Sequence, residues 1–210
     1  MKRRLKALTI IFLFLVSLIP IKASADATPP SINAAGCALI DASSGQLLYG
    51  KNENTQYEPA STTKVMTALI VLEKCNLNDE VTIQQDVDRE DGTRIGLKKG
   101  DVLTVHELLL GLLLDSGNDA ADALAYHVSG SIDEFAKLMN AKAKELGATN
   151  TNFKNPSGLP DPQHLTTPHD LALFLREAVN NQDFIKISTT SSYTIAMRND
   201  PQRTINLYLS

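Results

Sequence analysis

Apolar and polar positions change their spacing several times along the chain, and each change predicts an element. Residues 7–21 are apolar almost throughout, behind a basic head of Lys2, Arg3, Arg4 and Lys6. The runs "CALI" (37–40) and "QLLY" (46–49) are short and β-prone, and "DASSG" between them has turn composition, so a β-hairpin is expected. The stretch "PASTTKVMTALIVLEK" (59–74) predicts a helix with almost no polar face beyond Lys64, and a helix apolar nearly all round is a buried one. "EVTIQQDV" (80–87) predicts a strand, and "RIGLKKGDVLTV" (94–105) a strand and turn. Thr104 followed three residues later by Glu107 has capping-box spacing, which starts a helix running to about Leu114. "DSGND" (115–119) interrupts it, and a second helix begins near Asp119. "SIDEFAKLMNAKAKELG" (131–147) is amphipathic, capped by Ser131 and stopped by Gly147. Thr167 and Pro168 open a further helix as N-cap and first helical residue. "SSYTIAM" (191–197) and "RTINLYL" (203–209) predict two closing strands around the turn "RNDPQ".

Strands, then a helical block, then strands describe an α+β chain: an antiparallel sheet flanked by helices, with an all-helical insertion between its parts. No internal repeat interrupts this order. The basic head, the apolar run and the Ala-x-Ala arrangement in "KASADA" together form a secretory signal-peptide pattern, with cleavage expected after Ala25. The apolar run is short for a membrane span, which needs roughly 20 residues. Residues 1–25 are therefore a predicted leader, and 26–210 a single domain of 185 residues.

Charge and cysteine content narrow the function. The leader holds five of the 20 basic residues and none of the 24 acidic ones, so the remainder carries 15 basic against 24 acidic residues, a net charge of −9. A nucleic-acid partner requires concentrated positive charge, and none is visible. Cys37 and Cys75 lie among apolar neighbours and are expected as free thiols, although export permits a disulfide. The four histidines do not cluster at metal-ligand spacing, and neither metal nor cofactor is expected.

Two short polar features remain. Ser61 and Lys64 stand three apart at the head of an apolar helix, so hydroxyl and amine share a face. A serine needs a base before it is a nucleophile, and burial favours the neutral lysine that could serve as one. Alone, the pair also fits a helix cap with a lysine reaching to solvent. The second feature, Ser116-Gly117-Asn118, alone fits ordinary loop chemistry.

In this order, Ser-x-x-Lys followed by Ser-x-Asn resembles the active-site pattern of penicillin-binding proteins and serine β-lactamases. "EPASTTKVMTALIVLE", "LLLGLLLDSGNDAADALAYHVSGSIDEFAKLMNAKAKELGATNTNFKNPSGL" and "TTPHDLALF" extend the likeness over nearly all of residues 26–210. They resemble the D-alanyl-D-alanine carboxypeptidases of peptidase family S11. The resemblance implies a β-lactamase/transpeptidase-like fold. It implies Ser61 as nucleophile, Lys64 as base, Ser116 as proton relay, and Asn118 with Gly117 at the substrate. It implies peptidoglycan pentapeptide stems as substrate, β-lactam antibiotics as acylating ligands, and no metal.

The family's third motif, Lys-Thr-Gly or a close variant, is not found in the 210 residues. The expectation is a chain truncated before it, with the C-terminal strands missing, together with the C-terminal region through which the family contacts the membrane. Two other readings stay open at this point. One is a serine β-lactamase, for which no deacylating glutamate motif is apparent. The other is a non-catalytic fragment that binds peptidoglycan peptides.

Overall fold

The structure, a computed structural model, describes residues 31–84, 87 and 92–209. The predicted leader over 1–25 lies outside these residues. By contacts the chain divides into Met1–Asn33, described only over 31–33, and Ala34–Ser210, the unit considered below.

Strand β1 (Cys37–Ile40) pairs antiparallel with β2 (Leu47–Lys51), Cys37 standing opposite Lys51. Asp41 builds the reversal between them. One of its carboxylate oxygens accepts from the N–H and the hydroxyl of both Ser43 and Ser44, at 2.6 to 3.1 Å. Among the described residues the remaining strands are β3 (Glu80–Thr82), β4 (Val102–Thr104), β5 (Ser192–Ala196) and β6 (Thr204–Tyr208). The six pair as three separate two-stranded antiparallel ladders, β1 with β2, β3 with β4, β5 with β6. Between β4 and β5 every element is helical: α2 (Val105–Leu113), α3 (Asn118–Ser129), α4 (Ile132–Glu145), α5 (Pro168–Val179) and α6 (Gln182–Ser188). The class is α+β with a helical insertion.

Helix α1 (Lys64–Lys74) is the centre of this unit and packs against α2, α3, α4, α5 and α6. Its residues Met66 to Val71 are buried, as the missing polar face requires. Around them lie Leu108, Leu109, Leu110 and Leu112 of α2, with Phe135, Met139, Phe153 and Phe174. Each such side chain contributes about 1.5–3 kcal/mol on burial, so α1 is anchored far more strongly than its propensity alone would allow.

The predicted caps form. Thr104 Oγ1 accepts from Glu107 N–H while Glu107 Oε2 accepts from Thr104 N–H. Ser131 and Thr167 cap α4 and α5 through Glu134 N–H and Asp170 N–H. Glu107 also receives Arg198 Nη1 at 2.6 Å, tying the β5–β6 hairpin to α2. Arg203 forks onto Asp101 at 3.0 and 2.9 Å and ties the hairpin to the segment before β4. Burial alone would raise the Asp101 carboxyl, but these hydrogen bonds outweigh it and hold the group below its ordinary value.

The expected single antiparallel sheet is instead three separate two-stranded ladders among the described residues, because alternation identifies a strand but not its partner. Two further elements differ from expectation. The helix expected from Pro59 starts as a 3-10 turn, Ala60–Thr63, and becomes α-helical only at Lys64. Neither start carries a side-chain cap, so Ser61 is not the N-cap. The cause is Ala60, whose φ of 48° breaks the helical path one residue before Ser61. The short helix α6 was not anticipated. Asn181 caps it, and of its seven residues only Phe184 and Ile187 are buried, too few to display a period. Both cysteines are free and half-buried. Among the described residues no helix is long and apolar enough to cross a membrane.

Candidate active site

The 3-10 turn delivers Ser61 to the surface and Lys64 to the interior. Lys64 is 3 % exposed. Its Nζ lies 2.8 Å from Asn118 Oδ1, 2.9 Å from the Ser157 carbonyl oxygen and 3.3 Å from Ser61 Oγ. An ammonium has three N–H donors and fills all three directions. A neutral amine has two donors and one lone pair. With Asn118 and Ser157 taking the two N–H bonds, the lone pair faces the Ser61 hydroxyl. Burial pushes Lys64 down to about 8, against the pull of the Asp122 and Asp119 carboxylates. At neutral pH a sizeable fraction of Lys64 is therefore neutral, and for an ordinary lysine almost none is.

Asn118 is placed by the turn between α2 and α3. Gly117 N–H donates to the Gly111 carbonyl and Asn118 N–H to that of Thr93. A side chain on Gly117 would press on that Gly111 carbonyl, Ile95 and Asp119, so close packing explains the glycine. Asp119, 1 % exposed, accepts from the N–H groups of Ile95, Gly96 and Leu97 and pins the preceding segment against the start of α3. Ser116 adopts φ 56° and is half-buried, and its hydroxyl makes no hydrogen bond among the described residues. Ala60 and Ser116, two non-glycine residues in the left-handed region, thus sit beside Ser61 and Asn118, and such conformations cost about 1–3 kcal/mol each.

A third segment, 154–158, closes the site from the opposite side. Asn155 Oδ1 accepts from Ser157 N–H, Gly158 N–H and Leu159 N–H and folds the loop on itself. Thr67 Oγ1 donates to the Pro156 carbonyl at 2.6 Å, fastening the loop to α1. Gly158, at φ 85°, lies so close to the Ala60 carbonyl that a Cβ there would collide with it. His164, 1 % exposed, bridges Thr63 Oγ1 and the Lys154 N–H. Among the described residues no group of three or more histidine, cysteine or acidic side chains is placed to hold a metal ion.

A lysine joined to a serine one turn before it and to an asparagine on a separate helix is the arrangement expected of the S11 peptidases. The family model for the D-alanyl-D-alanine carboxypeptidases, peptidase S11, matches residues 23–209. The chain belongs to this family. D-alanyl-D-alanine carboxypeptidase DacF of Bacillus subtilis is 40 % identical over 162 residues, covering 75 % of this chain and 42 % of the relative. DacB2 of Mycobacterium tuberculosis is 40 % identical over 170 residues, covering 80 % of this chain and 58 % of the relative. This S11 chain thus spans about half the length of the curated relatives it matches. A D-alanyl-D-alanine carboxypeptidase structure from M. tuberculosis superposes with a TM-score of 0.80 at 37 % identity, over 89 % of this chain and 70 % of that one. A mutant of the Streptomyces K15 DD-transpeptidase superposes with a TM-score of 0.80 at 32 % identity, over 86 % and 75 %. The fold is that of the penicillin-binding and transpeptidase proteins.

In this S11 chain the structure brings Ser61, Lys64 and Asn118 together. It places Ser116 and Gly117 on the same turn as Asn118 without a hydrogen bond to the other two. The Ser157 carbonyl and the His164 bridge escaped the sequence reading. A backbone carbonyl leaves no side-chain signature. From sequence, His164 lies near a loop that could border the cleft, with a capping or surface role favoured, because its partners, Thr63 and Lys154, are 101 and 10 residues away.

Proposed function

We propose that this chain carries the serine site of a D-alanyl-D-alanine carboxypeptidase, with Ser61 as nucleophile and Lys64 as the base that takes its proton. The substrate is the D-Ala-D-Ala end of a peptidoglycan stem peptide. Ser61 Oγ attacks the carbonyl carbon of the penultimate D-alanine as its proton passes to Lys64 Nζ. The resulting oxyanion lies near the Ser61 N–H, which has no acceptor among the described residues and is free to donate. The C–N bond then breaks, the terminal D-alanine leaves with a proton relayed through Ser116, and an acyl ester remains on Ser61. Water attacks that ester and releases the shortened peptide. Asn118 holds Lys64 in place and, with the Gly117 backbone, lies along the substrate. A penicillin presents a strained amide in the same position and acylates Ser61.

The observation that supports this reading most is the Lys64 environment: two acceptors claim two N–H bonds, the remaining direction faces Ser61, and burial lowers the proton affinity. The relatives' names supply the substrate class. The leader pattern over 1–25 supports export and action on the outer side of the cytoplasmic membrane, with residues 26–210 belonging to the catalytic domain. The test is release of free D-alanine from a peptide ending in D-Ala-D-Ala. The chain should release it and Ser61→Ala should not. Equal release by the two, or none from a folded wild type, contradicts the proposal.

A further inference from the structure

The buried ring of His164 takes no part in the chemistry just described, yet it touches both walls of the site. Its Nδ1 lies 3.0 Å from the Lys154 backbone nitrogen, which can only donate. Nδ1 is therefore the unprotonated nitrogen, and the proton sits on Nε2. Nε2–H then donates to Thr63 Oγ1 at 2.9 Å. Thr63 stands between Ser61 and Lys64 at the end of the nucleophile's 3-10 turn. Lys154 opens the loop whose Ser157 carbonyl accepts from Lys64 Nζ. One ring thus spans the two segments that hold the base in line with the hydroxyl. The Phe153 ring meets it edge-on at 5.5 Å between centroids and fixes its plane.

We propose that His164 is a positioning residue for the Ser61–Lys64 pair: its neutral ring clamps the nucleophile's turn to the loop carrying the Ser157 carbonyl, and protonation of the ring opens that clamp. Protonated, the ring has donors on both nitrogens and no acceptor to offer the Lys154 N–H. Two N–H groups then face each other in a buried place, and the loop must move to relieve them. The Ser157 carbonyl moves with it, and Lys64 loses one of the two acceptors that aim its lone pair. Few charged groups bear on the ring. Asp161 on its own loop favours the protonated form, while burial disfavours it more strongly and pushes the ring below its ordinary value. Of its two partners, Lys154 meets the ring through its backbone N–H, and Thr63 is followed in the chain by the buried Lys64. Asp170, a buried carboxylate six residues further along the chain, is held by Asn150 N–H and Thr151 Oγ1.

This inference rests on the Ser61–Lys64 reading and makes a separate prediction. If neutral Lys64 alone limits acylation, the rate falls about tenfold per pH unit below its midpoint, with one slope throughout. If His164 must also be neutral, the fall steepens toward about a hundredfold per unit once the ring titrates. The experiment measures penicillin acylation of Ser61 from pH 4.5 to 9, on wild type, His164→Gln and His164→Ala, with circular dichroism confirming the fold at each pH. Glutamine can accept from Lys154 and donate to Thr63 but does not titrate. We expect His164→Gln to stay within about threefold of wild type at pH 8 and to lose the steeper limb, and His164→Ala to be slower by about tenfold or more at every pH. A wild-type profile with one slope, or an unchanged bend in His164→Gln, overturns the inference while leaving the nucleophile assignment intact. Absence of acylation at every pH would instead remove the earlier reading. In that case the clamp is still decided by nuclear magnetic resonance. The Ser61 and Lys64 amide shifts must follow the titration of the His164 ring nitrogens in wild type and stay flat in His164→Gln. Independence of the two overturns it.

Discussion

Replacing Asn118 by aspartate changes one acceptor next to the base and tests how Lys64 is kept neutral. Asn118 Oδ1 lies 2.8 Å from Lys64 Nζ. Two unit charges at that separation attract by about 6 kcal/mol at an effective dielectric of about 20. The charge of a carboxylate is shared by two oxygens and the buried pair is costly to desolvate, so about half of that, roughly 3 kcal/mol, is a reasonable net value. One pKa unit corresponds to about 1.4 kcal/mol, which moves Lys64 up by about two units. From its present value of about 8 it would rise to about 10. The neutral fraction at pH 7.5 would then fall from about one quarter to about three in a thousand. Penicillin acylation of Asn118→Asp should therefore be slower by roughly two orders of magnitude at pH 7.5, and its midpoint should move from about 8 to about 10. The assay is the acylation rate followed by intact mass between pH 6 and 11, the side chain being nearly the same shape. A midpoint that stays at or below 8 would refute the claim that the neutral amine is the reactive form.

Other outcomes follow from the same contacts. Folded Lys64 releases its proton near pH 8 and the unfolded residue near 10.5, so the unfolded chain binds more protons in between. Stability measured by urea should therefore rise with pH across that window and level off above it, and Lys64→Met should remove the rise. Gly158→Ala puts a Cβ into the Ala60 carbonyl at a left-handed φ. It should destabilise the chain by more than about 2 kcal/mol in a urea titration and abolish acylation, because the nucleophile's turn must shift. Glu107→Ala removes the partner of Thr104 N–H, Thr104 Oγ1 and Arg198 together. A loss of about 2–4 kcal/mol by urea unfolding is expected, with the acylation midpoint left near 8.

The elements with a local physical cause were legible in the sequence. The Asp41 turn, the Thr104–Glu107 box, the Ser131 and Thr167 caps and the buried face of α1 all depend on residues within four positions of one another. So does the Ser61–Lys64 pairing. The approach of Asn118 to Lys64 joins residues 54 apart and was reached only through resemblance to a family. What stayed hidden depends on the backbone or on distant partners. The left-handed Ala60 shifted the helix start to Lys64, and no propensity signals that conformation in alanine. The three strand pairs read as parts of one sheet, because alternation identifies a strand but not its partner. The Ser157 carbonyl and the His164 bridge needed the loop 154–158 to be folded before they could be seen.

The central claim is that Ser61 is a nucleophile armed by a neutral lysine, and intact-mass spectrometry after incubation with a penicillin tests it most directly. The wild-type chain should gain the mass of one intact penicillin, held as an ester on Ser61, and Ser61→Ala should gain nothing. A folded wild type with no adduct, or an adduct that persists in Ser61→Ala, would contradict the account.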